Sequence, residues 1–148
     1  MPDNENLDTS SPEESIRLSR YYAARDLMDA GQLEQAIAEF HASALEHPHA
    51  KTFELLGECY LKLSRFKEAI PFLAASTGLK HHFRAPSLLA EAFLAIEEYS
   101  HAIRTAKIAL AIEPNNRKAR HVLNIAQPIH YQQFPHLRDL DQNDPSKA

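Results

Sequence analysis

Apolar positions along this chain fall into short helical runs that recur on a fixed period, separated by proline, glycine or polar breaks. Three alanines, Ala36, Ala69 and Ala102, lie 33 residues apart in matching surroundings. Twelve residues before each stands a small residue (Ala24, Gly57, Ala90), and twelve after stand Pro48, His81 and Pro114. Ser11-Pro12-Glu13-Glu14 predicts a helix start: Ser11 is the N-cap, Pro12 needs no N–H in the first turn, and Glu14 completes a capping box. This helix should run to about residue 30, where Gly31 stops it. Further helices are predicted near 33–46, 50–63, 66–78, 84–96 and 99–112. Pro48 and Pro114 end helices because the residue before proline avoids the α region, and Gly78 and Pro86 bracket another junction. Asn115-Asn116 lead into a seventh helix, to about residue 126, closed by Pro128.

The small residues have a physical reading. Ala24, Gly57 and Ala90 sit where the first helix of each unit crosses the second, opposite Ala36, Ala69 and Ala102. Helices approach to the roughly 8 Å end of their usual range only where the facing side chains are small. Leu27, Tyr60 and Phe93 share a large apolar position on the first helices, and Leu33, Phe66 and Tyr99 open the second ones. Residues 1–10 are polar and are expected to be disordered. Residues 127–148 read as a tail in which Ile129, Tyr131, Phe134 and Leu137 are spaced for one side. Such a tail either caps the closing helix or reaches a groove, its own or a neighbouring copy's.

The middle unit reads Phe53-x-x-Leu56-Gly57-x-x-Tyr60, followed by Ala69-x-x-x-Leu73. It closely resembles the tetratricopeptide repeat, a helix–turn–helix unit of about 34 residues. The resemblance implies an all-α solenoid of about seven antiparallel helices in a right-handed superhelix. Within a domain spanning 11–126, its repeats fall at about 17–49, 50–82 and 83–116, with a capping helix at 116–126. Ankyrin repeats share the period but carry a Thr-Pro-Leu-His turn and Gly-rich hairpins, which are missing from this sequence. The aromatic at Phe53 is replaced by Arg20 and Pro86 in the other units. Arg20 is expected to lay its stem beneath Tyr21 or Tyr22, and Pro86 to re-aim the start of its helix.

In this family the first helices line a concave face. The resemblance places Leu18, Tyr21, Tyr22, Arg25 and Met28 there, then Lys51, Glu54, Leu55, Glu58 and Leu61. Arg84, Ser87, Leu88, Glu91 and Leu94 follow, with Lys118, His121, Val122 and Ile125 from the closing helix. The expected peptide contacts are Tyr21, Tyr22, Arg25, Lys51, Leu55, Glu58, Arg84, Leu88, Glu91 and His121. Leu55, Leu61, Leu88 and Leu94 read equally well as packing between helices. Chaperone adaptors of the family hold a C-terminal carboxylate with Lys and Asn in the first repeat, Asn in the second, and Lys and Arg in the third. Here the matching places hold Tyr21 and Arg25, Leu55, then Arg84 and Leu88, so the carboxylate clamp is not present in the sequence.

Composition narrows the function. A net charge of −4 and a pI near 6.1 argue against a nucleic-acid partner. No apolar run approaches the roughly 18 residues of a membrane span, so no membrane insertion and a cytoplasmic location are expected. Cys59 is the chain's one cysteine, which excludes an internal disulfide, and its helix should bury it as an inert core residue. Among nine histidines, His49 and His82 sit in loops that stacking brings side by side. No cysteine or carboxylate joins them at zinc-like spacing, so no metal is expected. Neither a nucleophile–base pair nor a phosphate loop stands out, so no catalysis and no cofactor are expected.

The expected function is a non-catalytic adaptor or scaffold that holds another protein or a peptide segment; a homodimer is a further option. A fainter resemblance, carried by His47, Leu56-Gly57-x-Cys59 and Pro86 with Ala90-Glu91, is to type III secretion translocator chaperones. It would imply a cytoplasmic chaperone for a secreted partner. An enzyme is the remote third reading.

Overall fold

The computed structural model describes residues 11–79 and 84–142, which are helical with no strand among them. Helices α1 (Pro12–Arg17) and α2 (Ser19–Asp29) are followed by α3 (Leu33–Glu46), α4 (Ala50–Lys62) and α5 (Phe66–Leu79). Then come α6 (Arg84–Ala95), α7 (Tyr99–Ile112), α8 (Arg117–Gln133) and α9 (Pro135–Gln142). From α2 to α8 each helix packs on the next, and α4 also touches α6 as α6 touches α8. One wall of the stack is therefore made by α2, α4, α6 and α8, and the other by α3, α5 and α7. Among the described residues no helix is long and apolar enough to cross a membrane.

The second helices begin and end at equivalent positions one period apart, and the turns before them explain why. After α2, Gly31 adopts φ +76°; its N–H reaches the Met28 carbonyl and that of Gln32 the Leu27 carbonyl. The same double closure follows α4 at Ser64 (φ 57°) and α6 at Glu97 (φ 62°), each 33 residues beyond the one before. This left-handed cap satisfies the last carbonyls of the first helix and aims the chain into the second. Side chains supply the starts: Ser11 and Glu14 form the capping box, His49 Nδ1 accepts from Lys51 N–H, and Asn116 Oδ1 accepts from Ala119 N–H.

The crossings are tight. Ala24, Ala36, Ala69, Ala90 and Ala102 are wholly buried. A methyl group on Gly57 would lie 2.5 Å from Cγ and Cδ2 of Leu73, so Gly57 meets the leucine one turn beyond Ala69. One core cluster runs from Ala24 through Phe40, Leu56 and Leu73 to Leu88, Leu89 and Ala92. A second runs from Ala90 through Ala106 to Val122 and Ala126, and Phe93 packs against both. No repeat has a core of its own.

Three expectations change. The helix predicted over 12–30 breaks at Leu18 (φ −90°, ψ 0°), where the Ser19 hydroxyl takes the Ile16 carbonyl and leaves α1 and α2 as separate pieces. Pro128 does not close α8, which continues to Gln133; its ring faces outward on an exposed turn, where water can take the Asn124 carbonyl that lost its N–H. The tail then turns at Phe134 into α9, which packs on α8. Arg20 does not lie beneath the tyrosines: it pairs across to α3, 2.9 Å from Glu46 and 3.6 Å from Glu39.

Candidate functional site

The wall of first helices carries an aromatic end and a charged centre. On α2, Tyr21 and Tyr22 are half-buried and meet edge to face at 5.5 Å between centroids, with Tyr21 also edge-on to Phe40 of α3 at 6.1 Å. The Arg25 guanidinium lies 5.9 Å from the Tyr21 ring centre. Burial raises the Tyr21 phenol above its ordinary pKa, with Arg25 pulling against it, so the hydroxyl stays protonated at neutral pH. These rings are rigid apolar area with polar tips, held at one end by packing.

The centre is a cluster of ion pairs that spans two repeats. Lys51 and Arg84 occupy equivalent positions, 33 residues apart, and both reach Glu54: Lys51 Nζ at 2.8 Å and Arg84 Nη1 at 2.6 Å from Oε1. Arg84 Nη2 donates to Glu58 at 2.5 Å, and Lys62 stands 3.8 Å from the same carboxylate. Glu54 has only 5% of its side chain exposed, and Lys51 and Arg84 are the cations that offset the burial of its carboxylate. Burial pulls the Arg84 pKa down, but Glu58 and Glu54 outweigh it and leave the guanidinium above its ordinary value. Glu54 was absent from the expected contacts, although Glu54 and Glu58 at i and i+4, with Lys51 and Arg84 in register, were a readable signal.

Other expected contacts divide by burial. Leu55 and Leu88 are 7% and 5% exposed and belong to the core cluster, as their reading as packing between helices expects. Lys118 pairs with Glu91 at 3.2 Å, tying α8 to α6, while His121 is exposed beside it. Met28, Leu61 and Leu94 are half-buried, and Ile125 is exposed. The structure thus gathers Lys51, Glu58 and Arg84 into one cluster, with Tyr21, Tyr22 and Arg25 as a second group on α2.

Among the described residues the candidate nucleophile and the candidate metal ligands are placed as follows. Cys59 is wholly buried, and burial, with Glu58 close by, pushes its thiol up to about 11; a protonated, enclosed sulfur is a poor nucleophile. The ring nitrogen of His49 is committed to capping α4, and His81 and His82 lie outside the described residues. What the face can do is bind: it offers aromatic surface, paired donors and acceptors, and a preset geometry.

Comparison with known proteins gives the fold. Residues 8–76 match the family of anaphase-promoting complex, cyclosome, subunit 3. No curated protein matches the sequence. The first TPR of Spaghetti (RPAP3), bound to HSP90 peptide SRMEEVD, is similar with a TM-score of 0.72 and 19% identity, covering 76% of this chain and 91% of that one. The Arabidopsis OM64 TPR domain gives 0.72 and 15%, over 77% and 96%. The APC/C hetero-tetramer Cut9–Hcn1 gives 0.68 and 24%, over 74% of this chain and 23% of that one.

Proposed function

We propose that this chain, a tetratricopeptide-repeat protein, is a non-catalytic adaptor that holds a segment of another protein against α2, α4, α6 and α8. The carrying observation is the Lys51–Glu54–Arg84–Glu58 cluster beside Tyr21, Tyr22 and Arg25. Ordering long side chains on binding costs about 0.5–1.5 kcal/mol each, and here the cluster is ordered before any ligand arrives. Tyrosine and arginine are also the residues that dominate binding energy at such surfaces. A solved relative of the same fold holds an HSP90 peptide, which supports peptide capture as the mode. The residues at the clamp places are different here, so the segment is read by aromatic and paired-charge contacts rather than through a terminal carboxylate.

The test is a partner isolated with the wild-type chain as bait and titrated calorimetrically. Tyr22→Ala with Arg25→Ala should weaken it at least about tenfold, or about 1.4 kcal/mol. Both side chains lie outside the core, so the melting temperature should stay within a few degrees. Unchanged affinity in that folded variant would move the site off this face.

A further inference from the structure

The N-terminal helix stands off the body. The described side chains of α1 are exposed, Ile16 by 74%, and α1 packs chiefly on α2, the next helix in the chain. Glu13 and Glu14 bring two carboxylates there, with no Lys or Arg partner among the residues whose side chains are described; Glu14 accepts the Ser11 N–H of its own capping box.

The opposite end of the stack carries a complementary feature. On the outer face of α7, Ile103, Ile108 and Ala111 floor a shallow groove of about 480 Å3 rimmed by Ser100, Arg104 and Lys107. In α3 two of the equivalent positions, Glu34 and His41, are met by the next repeat. Arg65 holds Glu34 at 3.1 Å, and Tyr60 Oη lies 2.9 Å from His41 Nε2, with the Phe72 ring 5.1 Å from the imidazole. On α7, among the described residues, Asp141 of α9 reaches this rim, 3.2 Å from Lys107. Ile108 remains 41% exposed, and Arg104 is exposed without an acidic partner among the described residues.

We infer that α1 of a second copy docks in this groove. Ile16 enters between Ile103 and Ile108, and Glu13 and Glu14 face Arg104 and the Lys107 side of the rim. A chain cannot satisfy its own groove, because α1 joins the stack at α2, two repeats away, or about 20 Å at the usual helix spacing. The contact is head to tail between two different surfaces, so it does not close and each added copy leaves a free arm and a free groove. A six-residue helix buries less than the roughly 1,000 Å2 of a stable interface, so association is weak and sensitive to salt.

Sedimentation equilibrium on the whole chain tests this. At low salt the weight-average mass should climb with concentration without a plateau, and added salt should return it to the monomer. Ile16→Asp and Arg104→Glu should each reduce the association constant at least about tenfold, with unchanged circular-dichroism melts because both positions are exposed. An equimolar mixture of these two variants keeps one intact arm and one intact groove, and should form a dimer that grows no further. A monomer at every concentration, or association indifferent to either substitution, overturns the proposal. Loss of association with Arg104→Glu but not with Ile16→Asp also overturns it, since another segment would then fill the groove.

Discussion

At the residue scale the fold depends on what two kinds of position exclude. Gly57 has no room for a methyl group because Leu73 is wholly buried against it. Alanine is the better helix former by about 1 kcal/mol, but overpacking costs about 1–3 kcal/mol and wins. Gly57→Ala should therefore destabilise by up to about 2 kcal/mol in urea unfolding, whereas the same change on an exposed helix face would stabilise. The left-handed caps give the opposite sign. Ser64 and Glu97 hold a backbone conformation that costs an L-residue roughly 1–2 kcal/mol, and Gly31 does not incur it. Glu97→Gly should raise the urea midpoint, gaining about 0.5 kcal/mol after the extra chain entropy of glycine is subtracted. Gly31→Ala should lower it by about 1 kcal/mol through the backbone alone, since nothing lies within 4 Å of the added methyl.

At the element scale, the parts legible in the sequence were those marked by local chemistry. Helices α3 and α7 match the predicted ranges residue for residue, because a left-handed turn precedes each and Pro48 or Pro114 follows. Glu97 shows why the turn itself was not read: only Gly31 advertises φ > 0, and the other two positions are imposed by the repeat. Pro128 was misleading because a proline ends a helix only where the freed carbonyl has no substitute, and the outer turn of α8 faces water. Pro71 sits inside α5 on an exposed position for the same reason. Of the candidate site, the repeat register put the aromatic and charged residues on the first helices, but the burial of Leu55 and Leu88 depends on how closely α4 and α6 approach.

The tail adds a titratable joint to this picture. The Tyr131 hydroxyl donates to Asp141, and Lys107 lies 3.2 Å from the same carboxylate, so α9 is fastened to α8 and α7 at one point. Burial and the bond to Asp141 push the Tyr131 phenol up to about 12 from the ordinary 10. A raised folded-state value means the stabilisation is fully present below about pH 10 and is lost as pH rises through 12. Far-ultraviolet dichroism should show helix lost over that window before the main unfolding. Tyr131→Phe should remove both that step and the latest phenol in the ultraviolet titration.

At the scale of the whole molecule, stability belongs to the interfaces between repeats. The first core cluster joins Leu88, Leu89 and Ala92 of α6 to Leu55, Leu56 and Cys59 of α4 and Leu73 of α5, so the second repeat shares its core with the third. Each buried leucine contributes about 1.5–3 kcal/mol, against a total of about 5–15 kcal/mol for a domain of ordinary stability. Ending the chain after residue 82 removes both leucines, breaks the Arg84 bonds to Glu54 and Glu58, and leaves the nearly enclosed Glu54 with Lys51 as its remaining cation. Those losses fall on the same helix and act together, so the shortened chain should not simply melt a few degrees lower. It should show no cooperative thermal transition, bind a hydrophobic dye at room temperature, and elute as aggregate in size exclusion. A truncated chain that kept a sharp melt and eluted as a monomer would mean that the first two repeats close their own core, contrary to the packing of α4 against α6.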